Sequence, residues 1–168
     1  MKGLVVRMSN KSEIRKSLQD GNINNFIIAM HSWVSEKCEY GRDIEKLSAE
    51  EQTFYFLQEL EVQVNNGGFQ QYFFNFGGNF AYETVDALTV IGAKQTAEIL
   101  KNAIDAFRCE VPRDWDDRQD LLISKETDDD FEDNLSDCDA KFYEYNDDLN
   151  DLNYQYIMKN KEQFDGMQ

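Results

Sequence analysis

The chain has 168 residues, with 33 Asp and Glu against 17 Lys and Arg, a formal net charge of −16 and one histidine. That length can bury a core without disulfides or metal, and the three scattered cysteines, Cys38, Cys109 and Cys138, form neither a disulfide framework nor a zinc pattern. Direct nucleic-acid binding is not expected of so acidic a chain. Only Leu4-Val5-Val6 precedes the charge of Arg7, too short for a signal peptide, and no apolar run approaches a membrane span, so a cytoplasmic protein is expected.

The charge is uneven. From Glu110 to Asp151 there are 17 acidic and 4 basic residues, net −13, whereas the rest holds 16 and 13, net −3. An almost neutral body therefore carries an acidic third.

Residues 1–21 are weakly patterned, a frayed segment or one short helix that ends at the Asp20-Gly21 turn, and residues 22–168 are expected as a single helical domain. Ile23, Ile27, Met30, Val34 and Cys38 recur at three and four, which predicts an amphipathic helix stopped by Gly41. His31 stands beside that stripe with no second ligand or base near it in sequence, and no role is assigned to it. Ser48 with Glu51 is a capping box opening a helix with apolar face Phe56, Leu57, Leu60 and Val64.

Two glycine pairs, Gly67-Gly68 and Gly77-Gly78, then bracket a run rich in phenylalanine and amides. Glycine pairs mark backbone that must turn or lie close to something, so Phe69 to Asn75 reads as a short, mostly buried helix between two breaks. Gln71 and Asn75, four apart, share one face; Phe69, Tyr72, Phe73 and Phe76 line the other. The simplest role for the two amides is to satisfy buried backbone groups at the flanking turns. Ala81, Val85, Leu88 and Ile91 make the next helical stripe, broken at Gly92, and Ala97, Leu100, Ile104 and Phe107 another, before Pro112.

Arg113 to Leu122 could start a short helix with Trp115 and Leu122 inward, and Thr127 to Asp133, a near-continuous acidic run, reads as a solvated loop. Cys138, Phe142, Tyr145, Leu149, Leu152 and Tyr156 then predict one long amphipathic helix with a break near Asn146. On it Glu144, Asp148 and Asp151 make a second stripe, spaced about 5 Å along the axis, with Asp147 turned further out. The expectation is an all-α bundle of about six to eight helices around a glycine-bracketed short central helix.

The stretch Asn66-Gly67-Gly68-Phe69-Gln70-Gln71-Tyr72-Phe73-Phe74-Asn75, after a Glu-rich helix and before one ending Ile91-Gly92-Ala93, resembles the bacterial DNA-mimic protein family, largely catalogued as a domain of unknown function. Tyr154, Tyr156, Ile157, Asn160 and Phe164 resemble its C-terminal pattern. The resemblance implies an all-helical homodimer that occupies the DNA-binding face of a bacterial transcription regulator. It rests on motif residues Asn66, Gly67, Gly68, Phe69, Gln71, Tyr72, Phe73 and Asn75, and does not carry over the acidic positions.

Those positions come from charge alone. Asp114, Asp116, Asp117 and Asp120, then Asp128, Asp129, Asp130, Glu132 and Asp133, then Glu144, Asp147, Asp148 and Asp151 are the candidate partner-binding face. Ordered carboxylates at about 5 Å are of the same order as the phosphate spacing of a DNA strand, so a basic DNA-binding protein is the expected partner. No cofactor or metal is expected: Asp128 to Asn134 lacks the glycine of a calcium loop. Enzymatic signatures are missing as well. Two other readings stay open, an immunity-type inhibitor of a basic toxin or nuclease, and a small-molecule or enzymatic site at Gln71, Tyr72 and Asn75.

Overall fold

A computed structural model describes the backbone of residues 2–168 and the side chains of residues 11–168. Eight α-helices and no strand occur among the described residues, the all-α fold the sequence predicts. They are α1 (Lys2–Gln19), α2 (Ile23–Lys37), α3 (Ala49–Phe74), α4 (Ala81–Ile91), α5 (Lys94–Asp105), α6 (Trp115–Ser124), α7 (Asp129–Tyr143) and α8 (Leu149–Lys159). The chain forms two compact units, residues 1–55 with 149–168, and residues 56–148.

In the first unit, α2 starts where the Asn22 side chain accepts the Asn25 N–H at 3.0 Å and buries Ile27, Met30 and Val34, with Cys38 just beyond, as its spacing predicts. The capping box at the start of α3 is formed in both directions. Ser48 Oγ accepts the Glu51 N–H at 3.1 Å, and Glu51 Oε2 accepts the Ser48 N–H at 3.0 Å. Edge-to-face ring pairs, Phe26 with Tyr154 and Phe54 with Phe164, knit α2, α3 and the C-terminal segment of this unit together.

The second unit is organised by the break in α3. Gly67 is extended (φ −168°), and Gly68 follows at φ +71°, ψ −174°, a conformation open essentially to glycine. The chain resumes as a short helical turn to Phe74, so the bracketed central helix is present. Phe69, Tyr72 and Phe73 are fully buried, and a chain of ring contacts runs from Phe142 through Phe69 and Phe73 to Phe107 and Phe131. Phe76, expected on this inner side, is instead 48% exposed: the helix has ended, Asn75 is extended, and a 3-10 turn over Phe76–Phe80 redirects the chain.

Other registers shift for similar reasons. The buried face of α4 is Ala81, Thr84, Ala87 and Leu88 rather than the stripe through Val85 and Ile91, because the Thr84 hydroxyl is drawn in as partner to Tyr72. The C-terminal helical stretch breaks close to Asn146, as expected, into two helices. Tyr145 sits at φ +50° and ends the run after α7, and α8 buries Leu149, Asn153 and Ile157 rather than Leu152 and Tyr156. The acidic run at 128–133 is not a loop but the start of α7, where carboxylates face the positive end of the helix dipole.

A Cβ at Gly68 would lie 2.3 Å from Asp139 Oδ2. Gly68→Ala is therefore expected to lose about 1–3 kcal/mol through the backbone alone, plus the cost of displacing Asp139. Gly92→Ala, at φ +87° with open space around it, should lose only about 1–2 kcal/mol. Urea denaturation of the two variants checks the order.

Candidate partner-binding surface

Counted by unit, residues 56–148 hold 22 acidic and 7 basic residues, net −15, whereas residues 1–55 with 149–168 hold 11 and 10, net −1. Nearly all of the excess charge thus belongs to one compact body. Two helices of that body, α6 and α7, together with their N-caps Asp114 and Asp128, carry 11 of its 22 acidic residues.

In α6 the sequence places Trp115 inward and assigns Arg118 no role. The structure differs: Arg118 is fully buried and Trp115 is 36% exposed. Breaking α3 and entering the 3-10 turn strips several carbonyls of helical partners, and the guanidinium supplies donors to them. Arg118 Nε donates to Phe73 O at 2.6 Å, and Nη2 donates to Asn75 O and Asn79 Oδ1 at 3.1 and 2.6 Å. Nη1 faces the carbonyls of Pro112, Arg113 and Asp114 at 2.9, 3.1 and 3.3 Å. Burial pulls the Arg118 pKa down from its ordinary value, while Tyr72 and Asp114 act the other way. A Cβ on Gly78 would lie 2.7 Å from Arg118 Nε, so the second glycine pair serves close approach.

With its base turned inward, α6 presents Asp116, Asp117 and Asp120 to solvent. Asp114 is exposed too, but its carboxylate is the N-cap, accepting the Asp117 N–H at 3.1 Å. On α7, Phe131, Leu135, Cys138 and Phe142 face the core, while Asp129, Asp130, Glu132 and Asp133 are exposed. Asp128 caps α7 through the Phe131 N–H at 3.1 Å and pairs with Lys125. That backbone N–H, with Lys125 and Arg108 assisting against slight desolvation, holds the carboxyl below its ordinary pKa. Asp130 pairs with Arg108 at 3.0 Å.

The stripe Glu144, Asp148, Asp151 does not share a helix face, since α7 ends before Glu144 and α8 begins after Asp148. Asp147 is not turned out to solvent. Its Oδ2 accepts both the N–H and the hydroxyl of Thr96, at 2.8 and 3.0 Å, closing the first turn of α5. Asp151 accepts from Gln155 within α8. Glu144 and Asp148 are exposed, beside a loop fixed by tyrosines: Tyr143 OH donates to Val64 O at 2.7 Å, and Tyr145 OH donates to Glu61 Oε1 at 2.8 Å and accepts from Asn65. Burial is the main cause that pushes the Tyr145 hydroxyl up to about 12.

The motif amides do not serve the flanking turns as expected. Gln71 Nε2 and Asn75 Nδ2 both donate to Gln63 Oε1, at 2.9 and 2.6 Å. The backbone is served by residues far along the chain: Asp139 Oδ1 accepts the Phe69 N–H at 2.7 Å. Burial raises the Asp139 pKa against that hydrogen bond. Tyr72 OH donates to Thr84 Oγ1 at 2.9 Å, and burial pushes its pKa upward despite that contact. With Gln71, Tyr72 and Asn75 each engaged inside the protein, the motif reads as a packing device. A cavity of about 240 Å³ lies on its other flank, lined by Gly67, Gln70, Phe131, Leu135, Glu132 and Asp139 among others.

A family model described as DMP19-like protein matches residues 45–160. No curated protein and no solved structure matches the chain. The matched span takes in the glycine-bracketed motif, Arg118 and every candidate acidic residue. No helix among the described residues is long and apolar enough to cross a membrane.

Replacing Arg118 with Lys keeps the charge but removes the planar fork, leaving several buried carbonyls without a donor. Arg118→Lys is expected to cost about 3–5 kcal/mol in urea unfolding, and Asp120→Asn on the outer face of the same helix less than about 0.5 kcal/mol. Equal, small losses would show that the guanidinium does not hold this region.

Proposed function

The chain belongs to the DMP19-like protein family, and on that premise we propose that it is an acidic DNA mimic: a cytoplasmic homodimer whose carboxylates bind the basic DNA-binding surface of a protein, in the first instance a bacterial transcription regulator, and exclude DNA from it. The observation that carries this reading is the concentration of net charge −15 in residues 56–148, displayed on ordered helices rather than on a tail. Charge needed only for solubility could be spread over both units and mixed with bases. Here four cations of the unit, Lys101, Arg108, Arg113 and Lys125, are paired with carboxylates, and a fifth, Arg118, is buried.

The contributors divide by what holds them. Asp116, Asp117, Asp120, Asp129, Glu132 and Asp133 are exposed carboxylates of α6 and α7 and form the centre of the proposed surface. Asp114, Asp128 and Asp147 cap helices and contribute field more than contact. Charge complementarity of this kind steers association and makes it fall steeply with salt.

The test is capture of partners from bacterial lysate on the immobilised chain at low salt, followed by salt elution. A small set of DNA-binding proteins should be retained. Changing Asp129→Asn, Glu132→Gln and Asp133→Asn together should weaken their binding by roughly tenfold, at about 0.5 kcal/mol per carboxylate, with helicity unchanged by circular dichroism. Asp148→Asn with Asp151→Asn should have a smaller effect, since no common helix face joins them. Retained proteins that bind the α7 variant undiminished would remove these residues from the surface.

A further inference from the structure

Beside the acidic face of α6 lies a cluster of exposed rings that the core does not require. Phe74, Phe76 and Trp115 are 53, 48 and 36% exposed. They nonetheless touch one another: Trp115 meets Phe74 edge-to-face at 6.5 Å and stacks on Phe76 at 6.3 Å, 29° between planes. The cluster is held in place, because Trp115 Nε1 and Gln119 Nε2 both donate to Phe74 O, at 2.9 and 2.8 Å. Contiguous exposed apolar surface that is fixed in position marks an interaction site more often than an accident.

The chemistry around the rings selects the occupant. Aromatic faces attract cations, and Trp115 shares α6 with Asp116 and Asp120, which lie four apart on the stripe next to Trp115 and Gln119. The one base of that helix is Arg118, turned inward. A second copy docked here through the same patch would set these carboxylates against themselves, which like-charge repulsion opposes. A guanidinium fits both halves: it stacks on an aromatic face and pairs in bidentate fashion with a carboxylate, as an ammonium does not.

We propose that Phe74, Phe76 and Trp115, with Asp116 and Asp120, form a seat for an arginine side chain of the basic partner. The seat rests on the acidic-surface reading above and adds selectivity for arginine over lysine, which charge alone does not supply.

The test uses the full chain in a Trp33→Phe background, which leaves Trp115 as the sole tryptophan; the Trp33 ring nitrogen has no hydrogen-bond partner to lose. The probes are a short oligo-arginine peptide and an oligo-lysine peptide of the same length. Oligo-arginine should perturb Trp115 emission and bind about two- to fivefold more tightly than oligo-lysine, through the planar stacking and bidentate pairing that an ammonium lacks. By titration calorimetry, Trp115→Leu with Phe76→Leu should erase that preference, and Asp116→Asn with Asp120→Asn should weaken both peptides. Equal binding of the two peptides with unchanged emission would overturn the seat and leave the acidic surface standing, whereas failure of both to bind would count against both. Self-association that disappears with the ring substitutions would assign the patch to a second copy and overturn the proposal.

Discussion

The second unit depends on one buried cation. Desolvating a guanidinium costs several kcal/mol, and the cost is offset only because Arg118 meets carbonyls from two separate stretches of chain, Phe73 and Asn75 after the broken helix and Pro112 to Asp114 before α6. Phe73 and Asn75 present their carbonyls where α3 ends, and the second glycine pair in the turn that follows lets the chain pass close to the guanidinium. The end of α3 and the placement of α6 are therefore one arrangement. It also sets the surface, since a helix whose single base points inward shows Trp115, Asp116, Asp117 and Asp120 outward with no cation among them.

Several acids in this body act first as structure. Asp114, Asp128 and Asp147 close helix N-termini, and Asp139 takes the N–H that Gly68 frees at the second segment of α3. Each converts a charge that would otherwise only repel its neighbours into a local tie. The carboxylates left without such duties, on the outer sides of α6 and α7, are carried on a frame fixed by these ties. A mimic of a rigid polyanion requires that: disordered carboxylates would have to be ordered at the moment of binding, at an entropic cost.

Elements with strong helical period or unambiguous caps were legible in the sequence. The stripe of α2, the Ser48–Glu51 box, the stripe of α5 and the glycine breaks each follow from local chemistry, and the motif carried the family. What was not legible needed tertiary partners. Nothing local says that Arg118 rather than Trp115 turns inward, because the reason is a set of carbonyls some forty residues upstream. Asp147 reads as a surface acid until Thr96 is beside it, and Gln71 with Asn75 reads as a pair serving turns until Gln63 takes both. The one local hint was Arg118 itself, a lone base amid four aspartates in an otherwise outward-facing segment. The break near Asn146 was legible, but the register after it was not: the spacing carried Leu152 and Tyr156 inward, whereas α8, restarting beyond a residue at positive φ, buries Leu149, Asn153 and Ile157.

The central claim is that this chain and DNA compete for one surface. The most direct measurement is fluorescence anisotropy of a labelled duplex bound to the captured DNA-binding protein, titrated with this chain at fixed salt. Complete release of the duplex, with an apparent affinity that weakens in proportion as more protein-bound DNA is supplied, is the expected result. A ternary complex that keeps the duplex bound, or a partner inhibited at an enzymatic site while still holding DNA, would contradict it.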